Sequence, residues 1–259
     1  MAESATSGTW GGRLTGLAAL LCFGSALAAL VAALGSGQGW WHFGAGFTVL
    51  RYALFAAAGG VVIALAALIV ARRSRGRVLT NLLALLVAGG FVAFLGLQVR
   101  TAYSVVPLHD ITTNLADVPQ FSRLTVRADN LDNVPDLGRP ELTMLEPEAR
   151  WKAVHRQAYG DLRTIRVDAP VAEVVARAER LARERGWEVA VADPASGRLE
   201  ATETTRFFRF KDDVVVRARP APGGGTDVDM RSISRVGGSD VGVNAKRIRA
   251  FLSDLQQAG

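Results

Sequence analysis

The sequence predicts a helical three-span membrane anchor followed by an α+β domain, in which two helices cover a mostly antiparallel sheet. Three observations carry this. The net charge of +6 is confined to residues 1–100, where seven arginines face a single acid, Glu3; residues 101–259 hold 23 bases against 23 acids. Three runs, 14–34, 52–70 and 78–97, contain no charged side chain, and each matches the roughly 20 apolar residues that a helix needs to cross hydrocarbon. Beyond residue 160 the apolar positions recur at the periods of strands and of amphipathic helices.

The charge split decides the environment. A pI near 10.2 would suit nucleic acid, but arginines that punctuate apolar runs orient a chain in a bilayer. The bilayer is therefore the expected partner, and nucleic acid is not. The first run follows Arg13 and is alanine-rich, yet it exceeds the core of a secretory signal and two further spans follow it, so it is read as retained. The link at 71–77 carries Arg72, Arg73, Arg75 and Arg77, and short basic loops stay cytoplasmic. The amino terminus is then cytoplasmic. The loop at 35–50 lies outside, with Trp40, Trp41, His42 and Phe43 suited to an interfacial belt; Arg51 at its edge runs mildly against this. An odd number of spans sends everything after Arg100 to the periplasmic side of a cell inner membrane.

Gly59-Gly60 and Gly89-Gly90 are the expected packing positions of a three-helix bundle, which also offers a homo-oligomerisation surface. No acid, base or histidine interrupts the spans, so nothing suggests an ion path. The only cysteine, Cys22, lies in the first span. The outer domain must hold together without disulfides, on its own core.

Three segments follow: an anchor at 1–100, an irregular membrane-proximal arm at 101–160, and an α+β body at 161–259, with arm and body forming one outer domain. The arm has Pro107, Pro119, Pro135, Pro140 and Pro147 among Asp and Asn, with no regular apolar period. Its scattered Leu, Phe and Val favour wrapping over a folded body, and 151–159 suggests a short helical turn. In the body, 162–167 reads as a strand. Asp168 then caps, and Pro170 opens, a helix that runs to Arg185 and ends at Gly186. Its apolar face includes Val171, Val174, Val175 and Ala178, with Glu173–Arg177 and Glu179–Arg183 as surface pairs. Trp187, Val189 and Val191 alternate along a strand, 193–197 turns, and 198–205 returns. Strands at 213–219 and 227–233 flank a loop at 220–225. A last helix over 240–256 buries Val241, Ala245, Ile248, Leu252 and Leu255.

Residues 210–217, reading Phe-Lys-Asp-Asp-Val-Val-Val-Arg, the longer run at 231–249 and Pro-Leu-His-Asp-Ile-Thr-Thr at 107–113 resemble one bacterial family, domain of unknown function 1499. The resemblance covers most of 105–255, with Tyr159-Gly160 where that family often has Tyr-Pro. It implies domain boundaries and candidate residues, and no reaction.

Two function classes are weighed. The favoured one is a binding or structural role: an outer domain that holds an envelope lipid, glycan or protein partner through Arg217, Arg235, Gly237, Gly238 and Asn244. Adjacent glycines beside an arginine at a helix start are what an anion site requires, but Asp240 would repel an anion, so the favoured reading of this turn is that Ser239 or Asp240 caps the last helix. The second class is an envelope hydrolase using His109 or Ser239. Here His109 and Asp110 pair as base and carboxylate, but Val241 stands where a nucleophile elbow around Ser239 needs glycine. The favoured reading of this cluster is that Asp110, Thr112 and Thr113 hold a tight turn where the arm docks. No His, Cys or paired acid stands at ligand spacing, so neither metal nor cofactor is expected. Arg217, Arg219 and Arg231 are expected on one side of the sheet. Arg206, Phe208 and Phe210 are expected to alternate beside them, with Lys211 and Asp212 in a turn.

Overall fold

The computed structural model describes residues 2–257, with side chains from residue 10 onward; the ends of the first and last segments, Met1, Ala258 and Gly259, and the Glu3 side chain lie outside the described residues. The chain divides into two compact units, Met1–Thr101 with Arg206–Arg209, and Ala102–Thr205 with Phe210–Gly259.

The first unit contains α1 (Ala2–Gly37), α2 (Phe43–Val70) and α3 (Arg75–Ser104). All three are long and apolar enough to cross a membrane, over Trp10–Gly37, Phe43–Val70 and Arg75–Ser104. In lipid, association rests on close van der Waals packing, so small residues line the contact. On α1 the buried positions Thr15, Ala18, Cys22, Ser25, Ala29 and Ala32 recur at alternating three- and four-residue steps. On α2 they are Ala53, Ala57, Gly60, Ala64 and Ala67. A Cβ on Gly60 would stand 2.7 Å from the Cys22 sulfur, whereas one on Gly59, Gly89 or Gly90 would meet nothing within 4 Å. The expectation that both glycine pairs pack is thus corrected to Gly60 alone. Successive residues of a helix point in different directions, so two neighbours do not share one seam. Instead, α3 docks through Ala84 and Ala88 against Cys22 and Ala57, and through Asn81 Nδ2, which donates to Thr15 Oγ1 at 3.0 Å.

The second unit is α+β. Its elements are β1 (Asp110–Thr112), α4 (Pro140–Thr143), α5 (Pro147–Tyr159), β2 (Ile165–Val167), α6 (Val171–Glu184), β3 (Glu188–Asp193), β4 (Arg198–Thr204), β5 (Lys211–Pro220), β6 (Thr226–Ser234) and α7 (Val243–Gln257). The six strands form one antiparallel sheet in the order β1-β6-β5-β4-β3, with β2 also on β6. The two short strands share one edge of β6: β1 pairs with Arg231–Ile233 and β2 with Thr226–Val228.

Strand alternation gives this sheet two unlike faces. Val214, Val216 and Ala218 of β5 lie opposite Ser232, Met230 and Val228 of β6, and with Leu199 and Ala201 they form the core under α6 and α7. Trp187 stacks on Phe251 there, with ring centroids 5.1 Å apart. The other face carries Glu200, Thr202, Asp213, Arg217, Asp229 and Arg231, and the arm closes over it.

Local details differ from expectation. Pro170, not Asp168, occupies the N-cap of α6, and no side chain caps it. Lys211 and Asp212 open β5 and do not turn. Residues 206–208 form a turn between β4 and β5, so Arg206, Phe208 and Phe210 do not alternate along a strand. The expected helical turn at 151–159 is the larger part of a helix of 13 residues.

Candidate functional site

The arm has little secondary structure of its own, yet its backbone needs hydrogen-bond partners. Charged side chains of the sheet supply them. Glu200 is fully buried and accepts from the N–H groups of Ser122 (2.5 Å), Arg123 (3.0 Å) and Leu124 (2.9 Å), and from the Ser122 hydroxyl at 2.7 Å. Burial opposes the charge on Glu200, but hydrogen bonds from Leu124 and Ser122 outweigh it and hold the carboxyl below its ordinary pKa. Asp229, also fully buried, takes Thr164 Oγ1 at 2.6 Å, Arg217 Nη2 at 2.8 Å, and longer bonds from Thr113, Asn114 and Arg219. Arg217 and Arg219 in turn hold Asp117 of the arm.

At the β1 end, Arg231 grips Asp110 through two bonds, of 2.9 and 2.7 Å. Asn130 donates to the same carboxylate at 2.6 Å and faces His109 Nε2 at 3.2 Å. The expected His109–Asp110 pairing therefore does not form: Asn130 stands between their polar atoms, its Oδ1 facing His109 and its Nδ2 donating to Asp110. Helix α5 closes the outer edge of β1. Trp151 Nε1 donates to the Asp110 carbonyl at 2.9 Å, and the Thr112 N–H donates to His155 Nε2 at 3.0 Å. These bonds satisfy backbone groups that an edge strand otherwise leaves open. Burial pushes the His155 pKa down to about 4.

The loop after β6 answers the capping question. Asp240 accepts from the N–H groups of Gly242 at 2.8 Å and Asn244 at 2.6 Å, at the entry to α7. Ser239 Oγ accepts from the Val241 N–H at 3.2 Å. The loop does reach the segment just before β1, since the Asp240 N–H donates to the Leu108 carbonyl at 3.3 Å. Among the described residues, however, neither His109 nor His155 bonds to a hydroxyl.

The five expected ligand residues are not gathered. Asn244 lies on the helix-covered face, fully buried, joined to Ser232, Ser234 and the His109 carbonyl. Arg217 sits with Asp229, and Arg235 lies past the far end of β6, roughly 20 Å away at about 3.3 Å per residue. Arg235 and Gly237 do come together, joined by Arg127 of the arm, whose Nη1 donates to the Gly237 carbonyl at 2.7 Å. Gly237 has φ 88°, a conformation few other residues adopt; Gly238 follows it in the same exposed loop. Here a cavity of about 380 Å³ opens between arm and sheet, lined by Phe121, Val126, Arg127, Asp213, Ile233 and Arg235 among others. Sequence reasoning found Arg235 and missed Arg127 and Phe121, because an arm without period gives no register to predict what it faces. Among the described residues no group of three or more His, Cys, Asp or Glu is placed to hold a metal ion.

Three candidate membrane helices and an α+β unit with an arm-covered sheet define a membrane-associated protein with an appended antiparallel α+β domain. Residues 110–255 match the family described as protein of unknown function (DUF1499), and the chain belongs to that family. A solved structure similar in part is the crystal structure of DR_A0006 from Deinococcus radiodurans, 17% identical, covering 36% of this chain and 91% of that chain with a TM-score of 0.26. No curated protein matches.

Proposed function

We propose that the chain is an inner-membrane envelope protein whose periplasmic unit binds a lipid, glycan or protein partner at the cavity between arm and sheet. The cavity carries the reading: it combines apolar walls from Phe121, Val126 and Ile233 with guanidinium groups from Arg127 and Arg235, the mixture of surfaces that small-molecule sites use. Elsewhere on this sheet face Glu200, Asp229 and Arg231 are engaged with the arm. The hydrolase alternative has less support, since a nucleophile needs a base within hydrogen-bond reach and His109 and Ser239 are each engaged elsewhere.

The test is recovery of bound molecules from full-length protein purified from its host membrane. Mass spectrometry should identify a retained component in the wild type and in the His109→Ala and Ser239→Ala variants. It should be depleted when Val126→Trp fills the cavity. A component retained equally by V126W, or an envelope-extract activity that H109A or S239A abolishes while folding persists, would overturn the binding reading.

A further inference from the structure

We infer that the cavity between arm and sheet takes an oxyanion, a phosphate or carboxylate group carried on an apolar body; this rests on the binding reading above and names its ligand class. The two guanidinium groups of the wall hold N–H donors that no protein group among the described residues uses. An arginine offers five N–H donors and no acceptor. Arg235 uses Nε and both hydrogens of Nη2 on Asp213 and Thr202, at 2.7 to 3.2 Å. Among the described residues, both hydrogens of its Nη1 are left without a protein partner. Arg127 uses Nε and one hydrogen of Nη2 on Asp129, and one hydrogen of Nη1 on the Gly237 carbonyl. One hydrogen remains on each terminal nitrogen.

The main chain of the wall is balanced. Thr125, Val126 and Ala128 also line the cavity, and neither their N–H groups nor their carbonyls make a hydrogen bond among the described residues, so the main chain offers donors and acceptors alike. The one carboxylate in the wall, Asp213, is spent: it is buried, and its two oxygens receive Arg235 and the Thr202 hydroxyl at 2.7 to 2.8 Å. Among the charged groups of the wall, the carboxylate is engaged and the two guanidiniums keep open N–H donors, so the complementary ligand brings a negatively charged acceptor. Charge-assisted bonds from guanidinium to an oxyanion are the strong form of that match. Phe121, Val126 and Ile233 supply an apolar surface next to it, which suits an anionic group attached to carbon better than a bare hydrated ion.

The measurement is hydrogen exchange over residues 124–128 in the full chain, reconstituted in phosphatidylcholine nanodiscs. Inorganic phosphate and glycerol phosphate are added as soluble anions, glycerol and maltose as neutral probes, and phosphatidylglycerol nanodiscs as the lipid source. An oxyanion should slow exchange in this segment saturably, and Arg127→Gln with Arg235→Gln should weaken the effect roughly tenfold, with circular dichroism showing that the fold persists. Slowing by soluble anions alone assigns a free ligand; slowing by phosphatidylglycerol alone assigns a lipid headgroup. If maltose or glycerol slows the segment and no anion does, the oxyanion class is overturned while binding stands. If no probe acts and nothing is retained from the host membrane, both readings fall. An anion effect unchanged in the double variant overturns the assignment to this cavity.

Discussion

His155 shows how a single residue can be chemically conspicuous and structurally employed. The residue is 1% exposed, its ring packed edge-on between Trp151 and Tyr159. Since Nε2 accepts from the Thr112 N–H, a proton arriving there would replace an acceptor with a donor facing another donor. Burial is the main cause of its lowered pKa, with the negative charge of Asp110 opposing the shift. The sign of the linkage follows. The unfolded chain binds this proton near pH 6.5 and the folded chain near pH 4, so acid favours the unfolded state. The contribution is fully present above the unfolded value, falls as pH drops through the window, and levels off below about pH 4, a loss of about 3 kcal/mol. His155→Gln keeps an acceptor for Thr112 and removes the titration. Denaturation of the full chain in neutral detergent, compared between about pH 7 and about pH 4, should show the wild type losing this much more stability than H155Q. Parallel losses in the two proteins would mean that His155 does not titrate in this window.

At the scale of elements, the arm is held by side chains of a sheet, not by strand pairing. Three successive N–H groups converge on Glu200, Asp117 receives Arg217 and Arg219, and the Pro119 and Gln120 carbonyls accept from Arg231 and Arg198. A sheet face normally left to water is instead polar and covered. Buried charges tolerate this only while their partners remain, because removing one member strands the others. Glu200→Ala leaves four donors of the arm and the Arg198 guanidinium without their acceptor, and should cost about 3 kcal/mol. The same change should speed amide exchange at Ser122, Arg123 and Leu124, while the core strands β5 and β6 keep their protection. Glu200→Gln, retaining one acceptor oxygen, should fall between. Unchanged exchange at those three residues in E200A would show that the arm is held by something other than this carboxylate. The cavity beside it depends on the same latch, so E200A should also weaken retention of a bound molecule.

For the whole molecule, what was legible and what was not divides by the distance over which contacts act. The spans are legible because a helix in lipid needs only its own apolar length. Strands β5 and β6 and helix α6 are legible because Val214, Val216, Val174 and Ala178 repeat with the period of the element that buries them. Strand β1 is not: Asp110, Ile111 and Thr112 are all buried, two are polar, and their reasons for burial are Arg231 and His155, far away in sequence. The cavity is illegible for the same cause, as it exists only once Arg127 meets Gly237. Topology, by contrast, depends on a local signal, the arginines of 71–77, and it makes a sharp prediction. Positive residues in a short loop resist translocation, so that link is expected to stay inside, and with three spans the carboxy-terminal unit is expected to emerge on the opposite side. A phosphatase reporter active only outside the cytoplasm should be active when fused after Leu255 and silent when inserted between Arg73 and Ser74. Replacing Arg72, Arg73, Arg75 and Arg77 with Asn should lower the Leu255 fusion's activity by mixing the two orientations, since only Arg13 would then hold the amino-terminal side in. Full activity in that variant would mean that the apolar spans alone set the direction, and the reverse pattern in the wild type would place the cavity and its ligand in the cytoplasm.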